Sequence, residues 1–183
     1  MAAPLRRHLA RIVLLALCCS VAASAAGQTP IKAFFGNFVG QAISESGGEI
    51  STRDIAVDIK EHKKGFRLSW TTTTRRGDGR VKRKEHTVDF VPSGSSNVYA
   101  SAMRRNLFGK AVPMDPLKGD PYVWARLDGP TLIVHALVIT EDHGYEMQTY
   151  RRTLTDKGME LVFHRVRDGE RLRDVTGTLV KVN

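Results

Sequence analysis

The last third of the chain, residues 121–182, constrains the fold more than any other stretch. Four short breaks divide it into five segments, and each break contains residues that accept a positive φ or begin a turn. The breaks are Asp128-Gly129-Pro130, Glu141-Asp142-His143-Gly144, Thr155-Asp156-Lys157-Gly158 and Asp168-Gly169. Segments such as 131–140 and 159–167 are rich in β-branched and aromatic residues and contain no proline, which is typical of strands. The pattern predicts an antiparallel meander.

Tight turns fix the register of paired strands, so they also predict which side chains share a face of the sheet. Counting outward from the four breaks assigns one set of polar and aromatic residues to a single face. This face includes Trp124, Arg126, His135, Gln148, Tyr150, Arg152, Phe163, Arg165 and Asp174, together with apolar residues such as Leu161. In this register His135 lies opposite Tyr150, and Asp174 lies opposite Phe163. A shift of one residue in any turn would exchange the faces beyond it.

The preceding part of the chain shows the same hairpin order. Segments 53–60 and 65–73 alternate apolar and polar residues on either side of a turn at His62-Lys63-Lys64-Gly65. Further strands are predicted at 39–43, 81–91 and 97–103, and a loop at 44–49. Strands in hairpin order without helices between them must close or form two sheets, because a long open sheet exposes its edges. We predict an all-β, antiparallel up-and-down meander that closes into a barrel of about eight to ten strands.

Two stretches depart from the strand pattern. Residues 31–35 follow Thr29-Pro30 and are predicted to form one helical turn, with the threonine as cap and the proline in first position. Residues 104–120 fit neither the helical nor the strand period. A loop of this length is either a functional lid or a packed surface excursion, and both interpretations stay open.

The chain resembles a known superfamily at the start of its first strand. A short helix precedes Gly36-Asn37-Phe38-Val39-Gly40, and a meander of hairpins follows to the C-terminus. This arrangement resembles the calycin superfamily, which includes lipocalins and fatty-acid-binding proteins, although that family usually has tryptophan where this chain has Phe38. The resemblance implies a barrel that binds a small ligand inside. Fatty-acid-binding barrels hold an acid headgroup with an arginine and a tyrosine on late strands.

The first 25 residues are predicted to be a cleavable secretory signal peptide. Three arginines, Arg6, Arg7 and Arg11, precede an apolar run over 12–23, and Ala23-Ser24-Ala25 fits a small-x-small cleavage pattern. The apolar run is too short to span a membrane comfortably. We therefore expect export, to a periplasm in the simplest case, of a single domain formed by residues 26–183.

Cleavage would change the charge and the redox chemistry of the domain. Removal of three arginines and no acid lowers the net charge from +9 to about +6. Cys18 and Cys19 leave with the signal, so the domain would have no disulfide and no thiol nucleophile. An exported basic protein meets anionic lipid or envelope polymer rather than nucleic acid, so we expect no nucleic-acid partner.

The shared face carries the strongest candidate binding site. Arginine inside an apolar barrel is costly unless it is paired, and its planar fork suits a carboxylate or a phosphate. We predict that Arg152, Tyr150 and Arg165 hold the headgroup of an amphipathic or anionic lipid-like ligand. The rest of the predicted site consists of Trp124, Phe163 and Leu161 along the apolar part, with Arg126 and His135 on the same face. In the competing interpretation, Arg152 and Arg165 pair with Asp174 on a solvated surface.

A second basic feature surrounds the turn at 75–80. Its members are Arg75, Arg76, Arg80, Lys82, Arg83 and Lys84. Such a positively charged hairpin tip either contacts an anionic membrane surface or envelope polymer, or is simply solvated. It supports an alternative function, a structural or interaction protein of the cell envelope whose filled barrel meets a polymer or protein partner through this tip.

Catalysis and cofactor binding find little support in the sequence. No Gly-x-Ser-x-Gly motif is present, and the histidines show no metal-ligand spacing. We therefore expect no enzymatic activity, no catalytic residues and no cofactor. A third hypothesis assigns haem or metal binding to His135 or His164, which lie within strand patterns.

Overall fold

A computed structural model describes residues 29–75, 79–101, 104–105, 111–112, 115–118 and 120–182, with backbone only for 104–105 and 111–112. The predicted signal peptide, Arg76 and about half of the irregular stretch 104–120 lie outside the described residues. Within the described part, no helix has the length and apolar character needed to cross a membrane.

Strands make up about three quarters of the described chain. They are β1 (Gly36–Ser46), β2 (Glu49–His62), β3 (Gly65–Arg75), β4 (Val81–Pro92), β5 (Val98–Ser101), β6 (Arg104–Arg105), β7 (Ala111–Val112), β8 (Tyr122–Asp128), β9 (Thr131–Ile139), β10 (Tyr145–Thr155), β11 (Gly158–Arg167) and β12 (Glu170–Val182). Short 3-10 helices cover Ile31–Phe34 and Pro116–Lys118. The predicted helical turn is present, but Pro30 occupies the N-cap and no side chain caps the helix.

Ten of these strands close into one antiparallel barrel, and β6 and β7 form a separate two-stranded sheet. Each barrel strand pairs with its neighbour in the chain, β5 pairs with β8, and β12 pairs with β1 to complete the circle. The predicted all-β, up-and-down barrel of eight to ten strands is confirmed. The predicted loop at 44–49 is wrong, because β1 and β2 extend to a two-residue turn at Gly47-Gly48, where both glycines have positive φ.

The two ends of the barrel interior differ. At the packed end, which contains the start of β1 and the end of β12, apolar side chains fill the interior: Phe34, Phe38, Ile59, Phe66, Leu68, Phe90, Leu132, Met159 and Leu179 are all fully or almost fully buried. The N-terminal 3-10 helix places Phe34 in this cluster. The open end contains the opposite ends of the same strands, where the inward positions are largely polar.

The glycine-x-aromatic-x-glycine motif has a packing role at the packed end. Phe38 is 1% exposed and belongs to the core. A Cβ added at Gly40 would lie 2.1 Å from the backbone oxygen of Thr178, on the neighbouring strand β12. Gly40 therefore permits the close approach of β1 and β12 that closes the barrel.

The registers between strands decide which residues face inward. The predicted register holds for β8 with β9, where Trp124 lies opposite His135, and for β10 with β11, where Arg152 lies opposite Leu161. Between β9 and β10 it is wrong by one residue, because Thr149 rather than Tyr150 lies opposite His135.

Loop length explains this first error. Five residues, 140–144, connect β9 to β10, since Ile139 pairs with Tyr145. The loop is closed by a hydrogen bond from the Thr140 backbone N–H to the Gly144 oxygen at 2.9 Å, and His143 adopts a φ of 64°. The predicted loop has four residues, which puts every later residue on the wrong face relative to β9.

A β-bulge explains a second error. The turn at Asp168-Gly169 is as predicted, with Arg167 opposite Glu170, but the register shifts between Arg165 and Val166. Beyond the bulge Asp174 lies opposite His164 instead of Phe163. One extra residue on β12 therefore moves Asp174 to the outer face of the barrel.

The packing of β1 on β12 gives a testable prediction. Gly40→Ala should lower the free energy of unfolding by about 1–3 kcal/mol, because its Cβ meets backbone that cannot rotate away. Chemical denaturation of the purified domain measures this difference. Gly94→Ala is the matched control, since a Cβ there meets nothing within 4 Å. Equal stability of the two variants would contradict the packing role.

Candidate functional site

The open end of the barrel encloses a cavity of about 390 Å³. Its walls are alternate, inward-facing residues of β2, β3, β4, β10, β11 and β12. Basic residues dominate the polar lining, namely Arg53, Lys82, Lys84, Arg152, Arg165 and Arg173. The other lining residues include Ile55, Val57, Trp70, His86, Gln148, Tyr150, Leu161, Phe163 and Val175. The cavity is therefore both cationic and partly apolar.

Arg152 lies at the inner limit of this cavity and is 1% exposed. Its guanidinium carbon lies 5.6 Å from the centre of the Trp70 ring and 5.4 Å from that of Tyr150. Within the described part of the chain it forms no ion pair, and its Nε and Nη1 atoms are buried without a hydrogen-bond partner. The two aromatic faces attract the cation but do not accept its hydrogen bonds in the way that an oxygen would.

Burial lowers the pKa of Arg152 to about 10, although interaction with Tyr150 opposes this change. The guanidinium is therefore still protonated at neutral pH. A buried charge without a counter-ion costs several kcal/mol, and a nearby anion would offset that cost.

Arg165 differs from Arg152 because it already has a carboxylate partner. Its Nη2 lies 2.5 Å from Oε2 of Glu146, which is 8% exposed. Gln148 Nε2 donates a hydrogen bond to Oε1 of Glu146 at 2.6 Å, and the Tyr150 hydroxyl donates one to Oε1 of Gln148 at 3.0 Å. Burial would raise the pKa of Glu146, but the hydrogen bonds from Arg165 and Gln148 hold it below its ordinary value. This network neutralises Arg165 and leaves Arg152 uncompensated.

Aromatic rings line one part of the wall. The ring centres of Tyr150 and Phe163 are 4.5 Å apart, and Trp70 lies 5.4 Å from Tyr150. His86 stacks on Trp70 at 4.9 Å. Together with Leu161, these rings give the cavity an apolar surface next to Arg152.

Three of the predicted site residues lie outside the cavity. Trp124, Arg126 and His135 face the outer surface, because the register between β9 and β10 is shifted. His135 stacks on Trp124 at 4.9 Å, and its Nδ1 lies 3.2 Å from the Thr149 hydroxyl. Burial, with the positive charges of Arg126 and Arg151, lowers the pKa of His135. The structure thus brings together Arg152, Tyr150, Arg165, Phe163 and Leu161 and separates the other three from them.

The competing interpretation, in which Arg152 and Arg165 pair with Asp174, is wrong. Asp174 lies on the outer face, where Oδ1 is 2.5 Å from Nδ1 of His164 and Oδ2 is 3.2 Å from Arg171. The hydrogen bond with His164 is the main reason that the pKa of Asp174 lies below its ordinary value. His164 and His135 both face outward, and no group of three or more His, Cys, Asp or Glu residues in the described chain is arranged to hold a metal ion.

The basic hairpin divides between two surfaces. Lys82 and Lys84 line the cavity. Arg75 and Arg83 face outward, with Arg75 3.5 Å from Asp54 and Arg83 3.8 Å from Glu85. Arg80 lies just before β4, and Arg76 lies outside the described residues. Two residues of the predicted tip therefore belong to the cavity.

Several residues of the site were not predicted from the sequence: Arg53, Trp70 and Arg173 in the cavity wall, and Glu146 as the partner of Arg165. A signal was present for Arg53, because it continues the inward alternation of Ile55 and Val57. Arg173 had no such signal, since only the bulge on β12 places it inward.

Comparison with known proteins supports the fold and no more. No family model and no characterised protein matches the chain. A protein of unknown function of the DUF3598 family from Nostoc punctiforme has a similar structure, with a TM-score of 0.55 and 14% identity, over 85% of this chain and 50% of that one. The chain thus spans half the length of this neighbour. The ten-stranded barrel fits a calycin-like resemblance, without assigning the chain to a family.

Two further structures resemble the barrel more distantly. A redesigned beta barrel has a TM-score of 0.36 and 13% identity, over 84% of this chain and 95% of that one. The S-type phycobiliprotein lyase from Guillardia theta has a TM-score of 0.37 and 10% identity, over 84% and 90% of the two chains. At these scores the likeness carries no argument about function.

The uncompensated charge of Arg152 predicts an unusual stability effect. Arg152→Met should raise the free energy of unfolding by about 1–3 kcal/mol, because a chain of similar length replaces a buried, unpaired cation. Denaturant unfolding of the ligand-free protein measures the change. Arg151→Met is the matched control, since Arg151 is the exposed neighbour on the same strand, and it should change stability by less than about 0.5 kcal/mol. A destabilised Arg152→Met variant would show that Arg152 supports the fold.

Proposed function

We propose that the protein binds a small anionic, lipid-like amphiphile in the open end of its barrel, with the acid group on Arg152. The observation that carries this proposal is the buried guanidinium of Arg152, whose Nε and Nη1 have no hydrogen-bond partner. A carboxylate or phosphate oxygen would accept those hydrogen bonds and supply the missing counter-charge.

Other lining residues support an amphiphile rather than a small inorganic anion. Leu161 and Phe163, with Trp70 on the facing wall, offer an apolar surface beside the guanidinium. Trp70 takes the apolar role that the sequence assigned to Trp124. The cavity volume of about 390 Å³ lies at the lower end of the range for small-molecule sites, which suits one short ligand.

Tyr150 and Arg165 would assist without being the principal anchors. The Tyr150 hydroxyl and the Arg165 Nη2 are already engaged by Gln148 and Glu146, whereas the Nε of Arg165 is buried without a partner. Burial raises the pKa of Tyr150, so its hydroxyl stays protonated at neutral pH and is no general base. We propose binding without chemical change of the ligand.

Titration of the purified protein with decanoate, followed by calorimetry, tests the proposal. Wild-type protein should bind one decanoate, and Arg152→Met should weaken binding at least tenfold, since charge-assisted hydrogen bonds contribute about 1.5–3 kcal/mol. Arg151→Met should bind as wild type does. Native mass spectrometry of protein from its own host should also reveal a bound acid. No decanoate binding, or equal binding by Arg152→Met, would refute the assignment.

We also propose that the domain is exported after removal of residues 1–25. The proposal rests on the three arginines, the apolar run and the small-x-small pattern of the N-terminal segment. Intact-mass measurement of the protein from a fractionated host should give the mass of residues 26–183 in the exported fraction. The full-length mass in the cytoplasmic fraction would contradict it.

A further inference from the structure

We infer that the ligand carries a second anionic group, which binds Arg53 and Arg173 at the mouth of the cavity. This inference rests on the proposed function, because it concerns the same cavity and the same ligand. It narrows the ligand class from amphiphilic acids to dianions whose two acid groups are separated by an apolar segment.

Arg53 and Arg173 both line the cavity, and the Nε of each is buried without a hydrogen-bond partner. Neither forms an ion pair within the described residues. Burial, and then the positive charge of Arg173, lowers the pKa of Arg53, so the two guanidinium groups interact as like charges. Two neighbouring cations without a carboxylate are unfavourable unless an anion joins them.

A third unpaired polar group lies on the strand between them. Ser44 on β1 pairs with Ser51 on one side and Val175 on the other, and each of these lies two residues from one of the arginines. Ser44 is 1% exposed, and its hydroxyl oxygen has no hydrogen-bond partner. A hydroxyl can donate to an anion that the two arginines hold.

Three acidic residues on nearby strands already interact with other side chains. Asp54 faces outward and interacts with Arg75 and Gln41, and Asp174 faces outward to His164. Glu146 faces inward but pairs with Arg165. None of these three carboxylates pairs with Arg53 or Arg173, and an external anion would supply the missing counter-charge.

The two anion sites are built from different positions along the strands. The Arg152 guanidinium lies at the level of Trp70 and Tyr150. Trp70 pairs with Val57 on β2. Arg53 is four residues further along β2, a distance of about 13 Å along the strand. Tyr150 pairs with Phe163, which in turn pairs with Val175 on β12. Arg173 is two residues further along β12, a distance of about 7 Å along the strand. Ile55 on β2 and Val175 on β12 lie between these positions and line the cavity, so they offer an apolar surface to the body of a linear dianion.

Decanoate and decanedioate form a matched pair of probes, because they have the same chain length and differ by one carboxylate. Calorimetric titration of the wild-type protein at pH 7.5 should show decanedioate binding at least tenfold more tightly than decanoate. In the double variant Arg53→Gln/Arg173→Gln that preference should disappear, so that decanedioate binds no more tightly than decanoate does.

A charge-matched control separates a specific site from general electrostatic attraction. Arg151→Gln/Arg171→Gln removes the same charge from the outer face of β10 and β12, and it should keep the preference for decanedioate. Loss of the preference in this control would show that net charge alone creates it, which would overturn the inference.

The outcomes distinguish the two proposals. If neither acid binds, the proposed function itself fails. If decanoate binds and decanedioate binds no more tightly, the amphiphile site stands and the second anion site is wrong. The comparison of the two acids on wild-type protein needs no variant, so equal affinities would overturn the inference even if Arg53→Gln/Arg173→Gln fails to fold.

Discussion

The pairing of β1 with β12 closes the barrel, and the character of its interior depends on that closure. It joins Asn37 through Glu45 to Val182 through Asp174, and the glycines at 40 and 177 let the backbones approach. Once the sheet is closed, every inward position faces an interior of fixed width. At one end apolar side chains fill this space, whereas at the other end long basic side chains with apolar stems line a cavity.

The two ends have opposite energetic roles. The packed end removes large apolar side chains such as Phe38 and Leu179 from water, and it supplies the main driving force for folding. The open end holds cations close together behind low-dielectric walls, where their mutual repulsion is only weakly screened. The same arrangement concentrates positive potential in the cavity and attracts anions to it. Stability is thus given up at the positions that would recognise a ligand.

The composition of the cavity depends on two shifts of one residue each. The five-residue loop after β9 turns His135 and Trp124 outward relative to Arg152. The bulge on β12 turns Asp174 outward and Arg173 inward. With a regular β12, a carboxylate would face the arginines and neutralise them. The bulge therefore replaces an internal ion pair with an additional unpaired cation, which is the feature on which the proposed anion site depends.

The sequence by itself determined the strand content, the hairpin order and the closed barrel, because turn residues and alternating hydrophobicity are local properties. It also placed Arg152 opposite Leu161, since a tight turn lies only a few residues away. The tertiary structure alone decided the membership of the site. Arg53, Trp70 and Arg152 meet through barrel closure, and the inward face of β12 follows from a bulge that no local pattern marks. Because side chains alternate along a strand, one unmarked residue reverses every contact beyond it.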